Sequence, residues 1–294
     1  MSLIIKLYSA TYKLFKDHSR LIQPFLLLFF IQVATLIVLY FAPRLPLRKV
    51  FGPIILTFWG PRYGNSFLHY PYSFLLLPKL FQVGSLALSV IVGALTSGIA
   101  IVMIAGIHNK KRIDLFSATR VAISKYMYLF IIVVLWVVAL HYTAKFFNWG
   151  ALQASGFLLK FLPFKLRIFI LRNGIITWSL ALMNFILTVV IHSLLIYAIP
   201  VLIFEKQKLW KSILKSLSFF KERWVTTLVF VALPMLLYVP FSILLQKPNF
   251  LITKFFPEFV AYTILLGVIV NYLIIDPLIT VSAALFYLSH RKEK

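Results

Sequence analysis

Of the seven acidic residues in this chain (Asp17, Asp114, Glu205, Glu222, Glu258, Asp276 and Glu293), Asp276 alone falls inside a long apolar run, and Pro277 follows it. An ionised carboxylate in hydrocarbon costs about 2.5–3.5 kcal/mol on insertion scales, so Asp276 has to be paired, hydrated or protonated. His192 stands at a matching depth. Each residue lies twelve positions from the basic end of its run, or about 18 Å at the rise of an α-helix. Two readings follow. In one, Asp276 and His192 form a proton- or ligand-responsive pair beside a helix break at Pro277, as in the discontinuous helices of transporters. In the other, Asp276 is structural and accepts hydrogen bonds from neighbouring helices or from donors freed by a kink. His141, Asn184 and Asn271 are expected to make interhelical hydrogen bonds worth about 1 kcal/mol each.

Other chemistry has little to work with. The chain has no cysteine, which removes disulfides and thiolate sites. It carries no His/Glu pair at zincin spacing, no GxSxG elbow and no phosphate-cradling loop. A metal-dependent phosphotransferase needs paired carboxylates, and only one carboxylate lies within an apolar run. No catalytic residue, metal site or cofactor is assigned, and enzymatic activity is not expected.

The elements that position these residues follow from composition. The chain is 62% hydrophobic, 17% aromatic and 13% charged, with a mean hydropathy of +0.95. A soluble domain has about a quarter of its residues charged, so a membrane-embedded chain is expected. A bilayer core of about 30 Å takes roughly 20 helical residues. Six runs meet that length: Ile22 to Ala42, Phe81 to Ile107, Tyr126 to Phe147, Ile175 to Phe204, Val225 to Leu245 and Phe259 to Leu288. The first is too long, and lacks the small-residue cleavage site, for a removed signal peptide; it is expected to be an anchor. The outer stretches, Pro43 to Leu80 and Asn148 to Gly174, are rich in Tyr, Trp and Phe and read as interfacial helices or re-entrant pieces.

Thirty Lys and Arg give a net charge of +23. They cluster between apolar runs rather than on a soluble face, which fits anionic lipid headgroups better than nucleic acid. Eighteen lie in the N-terminal segment, the 108–125 and 205–224 loops and the tail, against twelve in the alternate segments. Both termini are therefore expected to be cytoplasmic.

Three segments on that side read KLYSATYK from Lys6, DLFSATRV from Asp114 and KLWKSILK from Lys208. Each places apolar and basic residues at helical spacing ahead of two apolar runs. The chain reads as a single membrane domain, 1–294, built from three units, 1–107, 108–204 and 205–294; similar composition alone would also produce such strings. Gly106 and Pro200 each lie nine residues before the leucine of the next copy and are expected to loosen the helix, as is Pro277. Lys211, Lys215 and Arg223, then Arg112 and Arg120, are the candidates for lipid headgroups; the alternative is that they only enforce topology. Ser85, Ser89, Gly93 and Ser97 repeat every four residues. That small-residue stripe is expected to be a packing seam, within the chain or between protomers.

The stretch YAIPVLIFEKQKLWKSILKSLSFFKERW, Tyr197 to Trp224, resembles a group of bacterial six-helix integral membrane proteins of unknown function. That group includes the membrane domain associated with glycerophosphodiester phosphodiesterases. The matching elements are Pro200, Glu205, the basic helix with Ser216, and Arg223-Trp224; FYLSHR, Phe286 to Arg291, is similar to the group's final helix. The resemblance implies an all-α polytopic fold in a bacterial inner membrane. In that group the phosphodiesterase chemistry belongs to a separate barrel, for which no room is expected after Lys294, so nothing catalytic carries over.

Two functions remain open. One is a non-enzymatic membrane protein whose basic amphipathic helices bind anionic lipid or organise membrane-protein partners or further copies of the chain. The other is a channel or secondary transporter using Asp276 beside Pro277. A polar path reaching Asp276 favours transport; lipid-lined grooves under the Lys-rich helices favour the first.

Overall fold

A computed structural model describes residues 2–67, 69–110, 114–161, 163 and 175–291, and every regular element among them is helical. Five helices are long and apolar enough to cross a membrane: Ser19–Phe41, Ser73–His108, Tyr126–Gly150, Leu182–Phe204 and Phe259–Arg291. A sixth crossing requires the bent pair Trp224–Leu236 and Val239–Leu245 to count as one. In hydrocarbon every backbone N–H and C=O needs a partner within its own segment, which is why these runs are helices.

The elements in chain order are α1 (Ser2–Asp17), α2 (Gln23–Phe41), α3 (Leu47–Phe67), α4 (Ser73–Leu88), α5 (Ala94–His108), α6 (Leu115–Ser124), α7 (Tyr126–Phe161), α8 (Ile175–Leu195), α9 (Ala198–Phe204), α10 (Leu209–Glu222), α11 (Trp224–Leu236), α12 (Val239–Leu245), α13 (Pro248–Lys254), α14 (Phe259–Ile269) and α15 (Asp276–Arg291). Two compact units form: Met1–Phe130 with Leu233–Lys294, and Ile131–Ala232.

Several expectations are corrected. Pro277 does not break its span. The proline lacks an N–H for the carbonyl four residues back, and a π-helical turn, Val270–Ile275, joins α14 to α15 so that Phe259–Arg291 continues as one helix. Gly106 is buried within an uninterrupted α5. The second span starts at Ser73 rather than Phe81 and absorbs the end of the outer segment. α7 runs on to Phe161, so residues 148–161 continue the third span rather than forming a separate piece.

Where a proline does disturb a helix, the reason is local. Within the single span Leu182–Phe204, α8 ends at Leu195 and α9 starts at Ala198, because Pro200 cannot donate to the Ile196 carbonyl. Likewise Pro240 cannot donate to Leu236. There α11 stops, its last turn tightens through Leu237 N–H to the Pro234 carbonyl and Tyr238 N–H to the Met235 carbonyl, and α12 departs at 52°.

The first unit packs α2, α4, α13 and α14 around Leu28, Leu36, Phe74, Leu77, Leu251, Ile264 and Val268. Lipid tails are as apolar as these side chains, so close contact and polar bonds decide which faces meet. A tight approach lies at Gly98 of α5. A Cβ there would lie 2.5 Å from Cδ1 of the fully buried Leu129 and 3.6 Å from the Ala122 Cβ. At Gly93 an added Cβ would make only ordinary contacts, 3.6 Å to Leu28 and 3.7 Å to Ser89. Gly98→Ile is therefore expected to cost about 1–3 kcal/mol through overpacking and to lower the thermal unfolding midpoint in detergent. Gly93→Ala is expected to leave that midpoint nearly unchanged.

Candidate functional site

The small-residue stripe of the second span is a polar seam within the first unit. The Tyr272 hydroxyl lies 3.0 Å from Ser85 Oγ and 2.9 Å from Ser89 Oγ. Gln32 of α2, fully buried, donates from Nε2 to the Ser85 carbonyl at 3.2 Å and to Ser89 Oγ at 3.3 Å. Since the Ser85 carbonyl can only accept, the amide nitrogen has to face it. That fixes Oε1 as the free end of the amide, and it is buried with no hydrogen-bond partner. Gly93 continues the seam against Leu28, and Ser97 lies partly buried in α5.

Both backbones that carry this cluster are locally π-helical. Ser89 starts the turn Ser89–Gly93 between α4 and α5, and Tyr272 sits in Val270–Ile275. A π turn shifts bonding from i→i+4 to i→i+5, and such turns are frequent at functional sites. Asp276 follows Tyr272 by four residues in the same span. Among the described residues its carboxylate receives no hydrogen bond and joins no ion pair, and Asp276 is only partly buried.

Gln32 and Tyr272 were not singled out from sequence. The available signals were that Gln32 is the lone amide between Pro24 and Ala42 and that Tyr272 precedes Asp276 by four residues. Asp276 belongs to the first unit and His192 to the second, and each has its own surroundings. The His192 ring meets Trp136 edge-on, with centroids 5.3 Å apart. Asn184 donates to Asn148 Oδ1 at 3.0 Å, joining α8 to α7.

The break at Pro200 is also a junction. The Ser216 hydroxyl of α10 donates to the Leu194 carbonyl at 2.8 Å, supplying a donor where α8 ends. Tyr197, fully buried at the break, bonds Thr227 Oγ1 at 2.8 Å and packs on Phe219. Lys215 of α10 reaches both oxygens of Glu205 at 2.7 Å, and the Glu205 side chain is 8% exposed. This binds Lys215 to the end of α9.

Three helices share a sidedness. On α10, Leu209, Ser212, Ile213 and Ser216 are buried, Trp210 and Leu214 are 67% and 65% exposed, and Lys211 is exposed beside them. On α6, Ala118 and Ala122 are buried while Phe116, Ile123 and Arg120 are exposed. On α1, Leu7 and Thr11 are buried while Ile5, Tyr12, Lys6, Lys13 and Lys16 are exposed. Thr11 donates to the Leu7 carbonyl, so the 3.0 Å bond to Ser282 of α15 takes its proton from Ser282. Burial pushes the Tyr8 phenol on this helix up to about 12. Arg223 is exposed at the C-terminal end of α10, and Arg112 lies outside the described residues.

Comparison with protein-family models, with curated proteins and with solved structures finds no match to this chain. Among the described residues no group of three or more His, Cys, Asp or Glu is placed to hold a metal.

A double-mutant cycle on Glu205→Gln and Lys215→Gln is expected to give a coupling on the order of 1 kcal/mol, reduced from a fully buried pair because Lys215 is half exposed. Unfolding midpoints in detergent measure it. Tyr272→Phe is expected to lower the same midpoint by an amount equivalent to about 1 kcal/mol, the net worth of its hydrogen bonds.

Proposed function

We propose that this chain is a non-enzymatic, multi-pass membrane protein that engages anionic lipid through α1, α6 and α10, each an amphipathic helix lying at the headgroup level. The observation that carries the reading is the sidedness of α10. One face packs on the chain, Trp210 and Leu214 project outward, and Lys211 lies next to them. An aromatic and an aliphatic side chain entering the acyl boundary beside a cation at phosphate level is the arrangement of an interfacial helix.

The order of elements supports a threefold repeat, with α1, α6 and α10 each preceding a pair of apolar segments. With eighteen of the thirty basic residues in one set of alternate segments and the bent pair counted as a crossing, the positive-inside rule favours cytoplasmic termini. The resemblance of residues 197–224 to bacterial six-helix membrane proteins agrees with an inner-membrane location. Transport through Asp276 has less support, since Pro277 leaves its span continuous.

Lys211 and Arg120 are the residues that decide it. Each basic side chain near an anionic surface contributes about 1 kcal/mol, so Lys211→Gln with Arg120→Gln is expected to reduce the preference for anionic over zwitterionic lipid about thirtyfold. The measurement is the lipid ratio retained by full-length protein after exchange in mixed-lipid nanodiscs. Lys215→Gln, which breaks an internal pair, is expected to lower thermal stability and leave the lipid ratio unchanged. Equal ratios in the wild-type and doubly substituted proteins refute the proposal.

A further inference from the structure

Three hydroxyls and one amide meet in the seam of the first unit, and their protons can be counted. The Gln32 amide uses both N–H groups, on the Ser85 carbonyl and on Ser89 Oγ. Ser85, Ser89 and Tyr272 bring one hydroxyl proton each but make only two bonds among themselves, at 3.0 and 2.9 Å. One hydroxyl proton therefore has no acceptor within the cluster. Gln32 Oε1, on a side chain with no exposed surface, has no donor among the described residues. A buried polar group without a partner loses the bond that water gave it in the unfolded chain.

The surplus donor and the surplus acceptor lie close together. The oxygen and nitrogen of an amide are about 2.2 Å apart, and Gln32 Nε2 is 3.3 Å from Ser89 Oγ, so Oε1 lies within about 5.5 Å of that hydroxyl. Two hydrogen bonds of about 2.8 Å through a single oxygen span up to about 5.6 Å. There is also room. Gln32 stands on α2 between Leu28 and Thr35, which face Gly93 and Gly84 of the second span. A Cβ added at Gly84 would lie 3.5 Å from Thr35 Cγ2, and one at Gly93 3.6 Å from Leu28 Cδ2, both ordinary contacts. The helices thus stand a methyl group short of contact on either side of the amide, close to the space one water takes.

We infer that one water molecule binds between Ser89 Oγ and Gln32 Oε1 as a fixed part of this fold. It gives every proton a direction. Ser85 donates to Tyr272, Tyr272 to Ser89, Ser89 to the water, and the water to Gln32 Oε1. Ser89 Oγ then accepts from Gln32 Nε2 and from Tyr272 and donates once, which is the full capacity of a hydroxyl. The site selects a ligand that accepts and donates at once. A metal cation has no proton for Oε1, and an anion would meet the amide oxygen with like charge. Buried waters commonly complete groups that the protein leaves unmatched. This inference is independent of the lipid reading, which rests on different helices.

The test is a crystal structure of the full-length protein, grown from a lipid phase, at a resolution that shows ordered water. Isolated density is expected at hydrogen-bond distance from both Ser89 Oγ and Gln32 Oε1. Ser85→Ala, which removes only the first donor of the chain, is expected to keep it. Gln32→Met, similar in shape but without the acceptor, is expected to lose it. Ser89→Ala, which keeps the amide and serves should Gln32→Met fail to fold, is expected to lose it as well. Ordered water elsewhere in the map with none between these two atoms overturns the proposal. So does density that survives in Gln32→Met or Ser89→Ala, or density ringed by oxygens closer than hydrogen bonding allows, the mark of a metal ion.

Discussion

Inside a bilayer no bulk water corrects an unmatched polar group, and this constraint explains most of the side-chain bonding in the chain. Where a proline removes a backbone donor, the structure answers in three ways. At Pro200 the helix passes through a turn at residues 196–197 within one span, and Ser216 of α10 donates to the nearby Leu194 carbonyl. At Pro240 the helix stops and bends after tightening its last turn. At Pro277 the preceding backbone widens into a π turn and the helix goes on. Thr11 with Ser282, Tyr197 with Thr227 and Tyr272 with two serines show side-chain hydroxyls meeting the same demand between helices. Such bonds join elements far apart in sequence and give apolar helices a reason to meet on one face rather than another.

Much of this architecture was readable from one-dimensional information. Apolar run length located the helices that can cross a membrane, because that property is local. The segments around Lys6, Asp114 and Lys208 lie in α1, α6 and α10, since helical spacing is also a local property. Ser85, Ser89 and Gly93 were recognisable as a seam because small side chains at every fourth position leave a groove on any helix.

Partnership was not readable in the same way. Gln32 and Tyr272 face the seam from helices 53 and 183 residues away from its serines, and no local pattern encodes that meeting. The close approach at Gly98 is one residue off the stripe and depends on Leu129 of another helix. Lys215 looked like its lysine neighbours until Glu205, ten residues earlier, folded back onto it. A proline announces a missing donor but not the remedy, which is why Pro200 and Pro277, alike in sequence, end differently.

The bend at residues 237–238 bears on the thickness of the surrounding membrane. Straight, α11 and α12 together would rise roughly 30 Å; bent by 52°, the same residues span only about 26 Å along the first helix axis. The 36-residue helix Ser73–His108 is, in contrast, about 54 Å long. A lipid matrix of uniform depth cannot suit both. The longer helix has to tilt or extend beyond the hydrocarbon, while the bent pair, counted as one crossing, reaches less far. The two segments thus depart from the depth of a single bilayer in opposite directions.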